Sequence, residues 1–377
     1  MTEPTIIHWT ENGAPRAARW LSTRDEPAPR ELRVVDDRLT ADEAYGLACQ
    51  GVGLLWRGDF QNARQLLRAL DTRAARGARR RAGEAEDFHR ERQRRAQRAR
   101  TLGKLLVELD GEHRCALRRA PDVRAACHEA FGPAEGPALL SLSALQGAIG
   151  AHQWRVRGID VPAAGGRIHP HYGVFAPVRS EYLRLVAEAP LPEALATTPL
   201  AFDLGTGTGV LAAILARRGV DHVIATDLDP RALACARENL VRLGLGASVQ
   251  VVAADLYPPQ RAALVVCNPP WLPARPTSSL EAAVYDPDGA MLGAFLAGLA
   301  AHLVPGGEGW LILSDLAERL GLRPADALPA MIAAAGLRVA GRLEARAAHP
   351  RATDPDDPLH AARQGEVTTL WRLRAAA

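Results

Sequence analysis

The pattern of hydrophobic positions changes character near residue 165. Between about residues 40 and 130, leucines recur at helical intervals, and Thr40 stands where a helix N-cap is expected. After residue 165, short apolar runs alternate with helical stretches. This alternation is typical of a mostly parallel sheet covered by helices on both faces. We therefore predict two domains: a mainly helical domain over residues 1–165, expected to recognise the substrate, and an α/β catalytic domain over residues 166–377.

Seven apolar runs predict the strands of the second domain. In chain order they are LAFDLG, HVIATD, VQVVAADL, ALVVCNPP, EGWLILSD, LRVAGRLEA and EVTTLWRLR. Helices are expected from about Val210, over 230–243 and near 289–302. The last two runs are predicted to form an antiparallel edge, because the polar, proline-rich loop HPRATDPDDPLHAARQG joins them.

Composition narrows the class of protein. Hydrophobic residues make up 47% of the 377 positions and charged residues 24%, as in ordinary globular proteins. The chain has no run of eighteen apolar residues and no basic leader before an apolar segment, so we expect a cytoplasmic protein without a membrane partner. The five cysteines are scattered without a CxxC pair, which argues against a disulfide framework and a metal cluster.

Residues 73–100 are dense in arginine and almost free of large apolar side chains. Such a charge run is most often a solvated helix face. Its alternative interpretation is a stripe that binds nucleic-acid phosphates. The net charge of +3 favours neither the solvated helix face nor the phosphate-binding stripe.

The stretch FDLGTGTGV, residues 202–210, carries the first chemical motif. A strand runs into Gly205, Gly207 and Gly209, and a helix follows at once, so backbone N–H groups would face a ligand that approaches closely. The pyrophosphate fingerprint G-x-G-x-x-G requires its third glycine where Val210 stands. The pattern therefore disfavours a dinucleotide and leaves an adenosine-containing ligand open; an empty tight turn is the structural alternative.

Acidic residues end the next two predicted strands. Asp227 follows the glycines by about twenty residues, where a carboxylate accepts hydrogen bonds from ribose hydroxyls. Asp229, just before Pro230, is the more natural helix N-cap, which leaves Asp227 for a ligand. Asp255 ends the following strand; it is either a contact to an adenine amino group or a hydrated loop residue.

The stretch VVCNPPWLP, residues 265–273, ends the fourth predicted strand. Asn268, Pro269, Pro270 and Trp271 would face the same crevice as the glycines, because ligands of open sheets bind at the carboxyl ends of strands. A rigid turn with a gap-filling tryptophan is the alternative interpretation.

These four motifs, in this order and spacing, resemble those of class I S-adenosylmethionine (AdoMet)-dependent methyltransferases. Within that class the chain is similar to the methyltransferase small group, which includes release-factor glutamine methyltransferases and RNA base methyltransferases. The resemblance covers roughly residues 170–320 and implies a Rossmann-like, seven-stranded, mostly parallel sheet with an antiparallel last strand. HYGVFAPVRSEYL lies where related enzymes carry a cofactor-covering segment, often with the sequence PRPET. The chain departs from that sequence, and Phe175, Pro177 and Glu181 are the residues that the resemblance would assign to the segment.

The resemblance also assigns roles. The glycines, with Asp203 and Thr206, surround the methionine part of AdoMet. Asp227, with Leu228, binds the ribose, and Asp255, with Leu256, holds the adenine. Asn268 borders the cofactor and, together with the Pro269 carbonyl, accepts the hydrogens of a planar nitrogen and stabilises its growing charge. Trp271 provides a ring face for stacking.

The motifs predict an AdoMet-dependent N-methyltransferase. We expect an exocyclic amino group of an RNA or DNA base as the acceptor, because the N-terminal half is rich in arginine. The alternative acceptor is a glutamine amide of a translation protein, since DGAMLGAFLAGLAAHLVPGG is similar to the stretch after NPPY in that group. A nucleotide-dependent oxidoreductase and a catalytically silent binding module are the alternatives from other classes. The sequence gives no indication of the oligomeric state.

Overall fold

The computed structural model describes residues 5–22, 27–79, 88–275, 283–346 and 359–376. The chain divides into two compact units, Met1–Gln153 and Trp154–Ala377. The division falls inside a helix, Leu142–Arg157, a short distance before the predicted boundary at residue 165. None of the helices within the described ranges is long and apolar enough to cross a membrane.

The N-terminal unit contains a six-stranded mixed sheet flanked by helices. Its strands are β1 (Ile6–Glu11), β2 (Ala14–Trp20), β3 (Leu32–Val35), β4 (Gly53–Trp56), β5 (Leu105–Leu109) and β6 (Ala138–Ser141), in the spatial order β1-β2-β6-β5-β4-β3. Its helices are α1 (Ala41–Cys49), α2 (Phe60–Arg79), α3 (Phe88–Leu102), α4 (Arg124–Phe131) and the first part of α5 (Leu142–Arg157). The prediction of a mainly helical domain was therefore wrong.

Strand β4 shows why the helical pattern misled. Its four residues are all buried, and consecutive side chains enter different hydrophobic clusters. Leu54 and Trp56 belong to one cluster, while Leu55 packs with residues of another. This alternation is the two-residue period of a strand buried on both faces, which a leucine-rich run cannot distinguish from a helix. The predicted N-cap Thr40 is confirmed, because its hydroxyl accepts a hydrogen bond from the backbone of Glu43 in a capping box.

The arginine-rich stretch forms the end of α2 and most of α3, with residues 80–87 outside the described ranges. Several of its cations have acidic neighbours: Arg95 pairs with Glu91, and Arg98 with Asp71. Ion pairing of this kind is typical of a solvated helix surface.

The C-terminal unit is built on the predicted seven-stranded sheet. Its strands are β9 (Leu200–Leu204), β10 (His222–Asp227), β11 (Val249–Ala253), β12 (Ala262–Cys267), β13 (Leu303–Ser314), β14 (Leu337–Arg346) and β15 (Val367–Ala375), in the spatial order β11-β10-β9-β12-β13-β15-β14. A separate pair, β7 (Ile159–Val161) and β8 (Gly166–Ile168), precedes them. The first five strands of the sheet pair in parallel, whereas β15 runs antiparallel to both neighbours. The predicted fold class and antiparallel edge are confirmed.

Helices cover both faces of this sheet. They are α6 (Glu181–Glu188), α7 (Val210–Arg217), α8 (Pro230–Arg242), α9 (Ala290–His302), α10 (Leu316–Arg319), α11 (Ala327–Ala334) and α12 (His360–Gln364). One hydrophobic cluster joins α6, α7 and α8 to the strands, and a second joins α9 and α11 to the opposite face. Most of the proline-rich loop between β14 and β15, residues 347–358, lies outside the described residues.

Candidate active site

The glycine loop connects β9 to α7. Gly205, Gly207 and Gly209 all have positive φ values, of 69°, 54° and 80°. A Cβ atom on Gly209 would lie 3.2 Å from the Cα of Ala236, and one on Gly205 would lie 2.8 Å from the Cε of Met291. A Cβ on Gly207 would meet nothing within 4 Å. Packing against the α8 backbone therefore explains Gly209, whereas Gly205 faces the movable end of a methionine side chain and Gly207 borders open space.

Asp203 supports this loop from below. Its carboxylate is buried, and Oδ2 accepts hydrogen bonds from the Thr206 hydroxyl at 2.6 Å and from the Ala212 backbone N–H at 3.0 Å. Burial raises the pKa of this carboxyl from 3.8 to about 6. Within the described residues, the other oxygen, Oδ1, has no hydrogen-bond partner. One acceptor thus fixes the loop, and a second remains unused beneath it.

Asp227 holds the loop from the side. One carboxylate oxygen accepts from the Gly207 backbone N–H, and the other accepts from the backbone N–H of Asp229, each at 3.0 Å. Asp229 in turn caps α8 by accepting from the backbone of Arg231, as predicted. Asp227 is half-buried and each oxygen retains a lone pair, so the side chain can still accept from a ligand.

The residues predicted to contact a nucleoside are accessible. Leu228 is 66% exposed, and Asp255 is also exposed. Leu256 adopts a φ of +62°, a conformation that a leucine rarely takes, and its carbonyl accepts a hydrogen bond from Thr226 at 2.7 Å. This contact fixes the turn that carries Asp255 beside the end of β10.

The Asn-Pro-Pro-Trp turn follows β12, next to the glycine loop. Strands β9 and β12 pair in parallel with Cys267 opposite Leu204, so Asn268 and Gly205 leave adjacent strands at the same level. Pro269 is buried, whereas Asn268, Pro270 and Trp271 are half-buried. The Asn268 Oδ1 atom accepts a hydrogen bond from the Trp271 indole N–H at 2.9 Å.

Trp271 is also covered on one face. The Arg179 guanidinium lies over its ring, with the Cζ atom 4.6 Å from the ring centroid. Arg179 was not identified from the sequence, because no local pattern relates it to the Asn-Pro-Pro-Trp turn, which lies far along the chain. Of the neighbouring residues singled out from sequence, Phe175 is half-buried, while Pro177 and Glu181 are buried.

The segment before Arg179 is tied to α8 and to the glycine loop. Asn239 accepts from the backbone N–H of His169 at 2.8 Å and donates to the carbonyl of Thr208 at 3.1 Å. Glu238 accepts from the His171 ring at 2.7 Å. Nothing in the sequence distinguishes Asn239 from other helical polar residues, so its role as a link appears only in three dimensions.

The fold and this arrangement define the class of the C-terminal unit. A sheet with one antiparallel strand, a glycine loop after β9, acidic residues beyond β10 and β11, and Asn-Pro-Pro-Trp after β12 is the architecture of a class I AdoMet-dependent methyltransferase. Residues 167–318 match the model of the methyltransferase small domain. The match confirms the expected class and AdoMet as the expected cofactor, and it disfavours the nucleotide-dependent oxidoreductase.

Two methyltransferases are similar to part of this chain. A release factor glutamine methyltransferase from Cereibacter sphaeroides is 37% identical over 164 residues, which cover 40% of this chain and 55% of the relative. A ribosomal protein L11 methyltransferase from Pelotomaculum thermopropionicum is 46% identical over 69 residues, 18% of this chain and 22% of the relative. The chain thus spans about half the length, or less, of these relatives.

Among solved structures, a ribosomal protein L11 methylase from Lactobacillus delbrueckii subsp. bulgaricus shares 17% identity over 47% of this chain and 70% of that chain. Its TM-score is 0.33, too low to support any further comparison.

Proposed function

We propose that the protein is an AdoMet-dependent N-methyltransferase that acts on a planar sp² nitrogen. The observation that carries this proposal is the register of β9 and β12. It brings the glycine loop and Asn268 to the same level on adjacent strands. A methyl donor bound at the loop and an acceptor bound at Asn268 would then be neighbours, as direct transfer requires.

The loop fits the cofactor. The open space beside Gly207 admits a ligand to the backbone, and the unused Oδ1 atom of Asp203 offers a buried acceptor nearby. In this proposal Gly205, Gly207 and Gly209 border the methionine part. A nearby set of side chains would hold the nucleoside: Asp227, Leu228, Asp255 and Leu256. When bound, AdoMet supplies an electrophilic methyl group on a sulfonium.

The chain's own residues then bind and orient the acceptor. The Asn268 Oδ1 atom has two lone pairs, of which one receives the Trp271 indole N–H. The second can accept one hydrogen of the substrate nitrogen, and the Pro269 carbonyl the other. Both acceptors stabilise positive charge that develops on this nitrogen, so the step does not require a strong general base.

For the acceptor, the relatives now favour a side-chain amide of a protein. A release factor glutamine methyltransferase is 37% identical over 164 residues, and translation proteins in the cytoplasm become the proposed partners. A nucleic-acid base is the second candidate, supported by the exposed arginines of α3, which include Arg90 and Arg100. Either way, we infer that the N-terminal unit recognises the polymer.

Labelled AdoMet distinguishes the two acceptors. The protein is incubated with methyl-labelled AdoMet and cell extract, and the products are treated separately with protease and nuclease. Label released by protease alone supports the amide; label released by nuclease alone supports the base. The Asn268→Ala variant serves as the control, and transfer that continues unchanged in this variant contradicts the proposed site.

Added salt provides a second discrimination. Binding to nucleic acid through arginines weakens steeply as counterions are restored, whereas recognition of a protein amide need not. Retention of label transfer in high salt therefore favours the protein acceptor.

A further inference from the structure

Trp271 is restrained on three sides. Its indole N–H donates to the Asn268 Oδ1 atom at 2.9 Å, and the Arg179 guanidinium lies 4.6 Å above the ring. Part of the remaining surface of the side chain packs against the hydrophobic clusters on both faces of the sheet, and the residue stays half-buried. A tryptophan whose only role was to provide a stacking surface for the substrate would not need these restraints.

Arg179 is itself fixed. Its Nε atom donates to Glu181 at 2.6 Å, and its Nη2 atom donates to Glu366 at 2.9 Å. The side chains of both acids are at most 3% exposed, and that of Arg179 is 16% exposed. Glu366 also accepts from the Ser314 hydroxyl at the end of β13. The guanidinium is thus anchored to α6 and to the residues before β15.

This frame limits what Trp271 can offer a substrate. A planar group that stacked on the face under Arg179 would have to separate the guanidinium from two buried carboxylates. Breaking buried ion pairs in this way leaves charges uncompensated and is costly. The covered face is therefore closed to the acceptor.

The hydrogen bond to Asn268 gives Trp271 another role. An asparagine side chain presents an oxygen on one side and an NH₂ group of nearly the same shape on the other, and rotation by 180° exchanges them. Only the amide oxygen can accept a hydrogen bond from the N–H of the nitrogen that receives the methyl group. The indole N–H is solely a donor, so it pairs with the oxygen and selects that orientation. A tyrosine hydroxyl, which both donates and accepts, would not select it.

We propose that Trp271 is a positioning residue, clamped by Arg179, which fixes the orientation of the Asn268 amide for the acceptor nitrogen. This inference rests on the proposed N-methyl transfer for its purpose. The clamp itself is a structural property that can be measured without any reaction.

Indole NMR tests the clamp. In protein labelled with ¹⁵N at its seven tryptophans, Trp271→Phe removes and thereby assigns one resonance. We expect Asn268→Ala to shift this resonance, because the indole loses its acceptor. Trp154, which is 48% exposed, provides the matched control, and its resonance, assigned with Trp154→Phe, should stay in place. A Trp271 resonance that does not respond to Asn268→Ala overturns the clamp.

Arg179→Lys probes the anchor while preserving its charge. Lysine cannot bridge two carboxylates with a planar fork, so we expect the Trp271 resonance to shift and broaden. Arg184→Lys, at an exposed position of α6, is the matched control. An unchanged Trp271 resonance in Arg179→Lys contradicts the anchoring role.

The positioning role predicts a specific kinetic change. Initial rates of label transfer to cell extract should fall about 10- to 100-fold in Trp271→Phe, equally at low and high extract concentration, because orientation and not capture is lost. If a higher extract concentration restores the rate of label transfer in Trp271→Phe, the lost function is substrate binding on a stacking surface. That outcome overturns the positioning role. If the intact protein transfers no label, the proposed function fails, while the NMR result still decides whether the clamp exists.

Discussion

The carboxylate of Asp227 accepts a hydrogen bond from the backbone N–H of Gly207, at 3.0 Å. This contact joins the end of β10 to the one glycine of the loop that borders open space. The residue proposed to bind the ribose is therefore also a support of the cofactor loop.

Replacing Asp227 with alanine should affect both functions. Two backbone donors lose their acceptor, so we expect a loss of about 1–3 kcal/mol in the free energy of unfolding. The Kd for AdoMet should rise more than tenfold, since the ribose contacts are lost as well. Chemical denaturation and calorimetric titration measure the two effects. Asp221→Ala, at an exposed position just before β10, is the control, and equal AdoMet affinity in the two variants would refute the role.

Substitutions at two glycines of the loop should have different effects: Gly209→Ala mainly on stability, and Gly207→Ala mainly on AdoMet binding. Gly209→Ala places a Cβ 3.2 Å from the α8 backbone at a φ of +80°, so we expect the unfolding free energy to drop by about 2–3 kcal/mol. Gly207→Ala meets no neighbour and should cost only about 1 kcal/mol of backbone strain. Its methyl group instead enters the proposed cofactor space and should abolish AdoMet binding. Thermal melts and titrations check both variants; AdoMet binding to Gly207→Ala at wild-type affinity would contradict the placement.

Asp203 should make stability depend on pH in an unusual direction. Its pKa is raised by burial from 3.8 to about 6, so between these values the folded state binds more protons than the unfolded state. The stability of the wild type should then fall, relative to Asp203→Asn, as the pH rises from 4 to 7. The full change is on the order of 3 kcal/mol. If the difference in unfolding free energy between the two proteins stayed constant from pH 4 to pH 7, the pKa of Asp203 would not be raised in the folded state.

Glu238 should make the stability depend on pH in the opposite direction. Burial would raise the pKa of its carboxyl, but Arg242, His171 and Arg155 together lower it from 4.5 to about 2. Its stabilising effect is therefore present above pH 4.5 and is lost as the pH falls toward 2. We expect Glu238→Gln to lower the Tm by about 2–4 °C at pH 7, with a difference that shrinks on acidification. Glu188→Gln, at an exposed position of α6, is the matched control; a difference from wild type that persists undiminished in acid would be evidence against this ion cluster.

The C-terminal unit could be predicted from sequence because its elements are marked locally. The glycines, the Asp229 cap and the apolar runs each act within a few residues, and the structure has all of them in the predicted order. The N-terminal sheet was missed although one local signal was present. Asn12 and Gly13, with φ values of 51° and 77°, form the turn between β1 and β2, as an Asn-Gly pair often does in a hairpin.

Other features had no local signal. The contacts of Arg179 with Trp271 and Glu366 join parts of the chain that only the completed sheet brings together. The orientation of the Asn268 amide likewise depends on a neighbouring ring and not on the Asn-Pro-Pro-Trp sequence alone. Sequence identifies the residues of the site, but the restraints on them come from tertiary packing.

The alignment of Cys267 with Leu204 has a consequence for how this site can change. A slip of one residue between β9 and β12 would move Asn268 by about 3.3 Å and turn its side chain toward the other face of the sheet. Every motif would survive in the sequence, yet the acceptor nitrogen would lie beyond the reach of the methyl group. In the proposed reaction, the hydrogen-bond ladder between these two strands would therefore set the distance between the methyl donor and the acceptor.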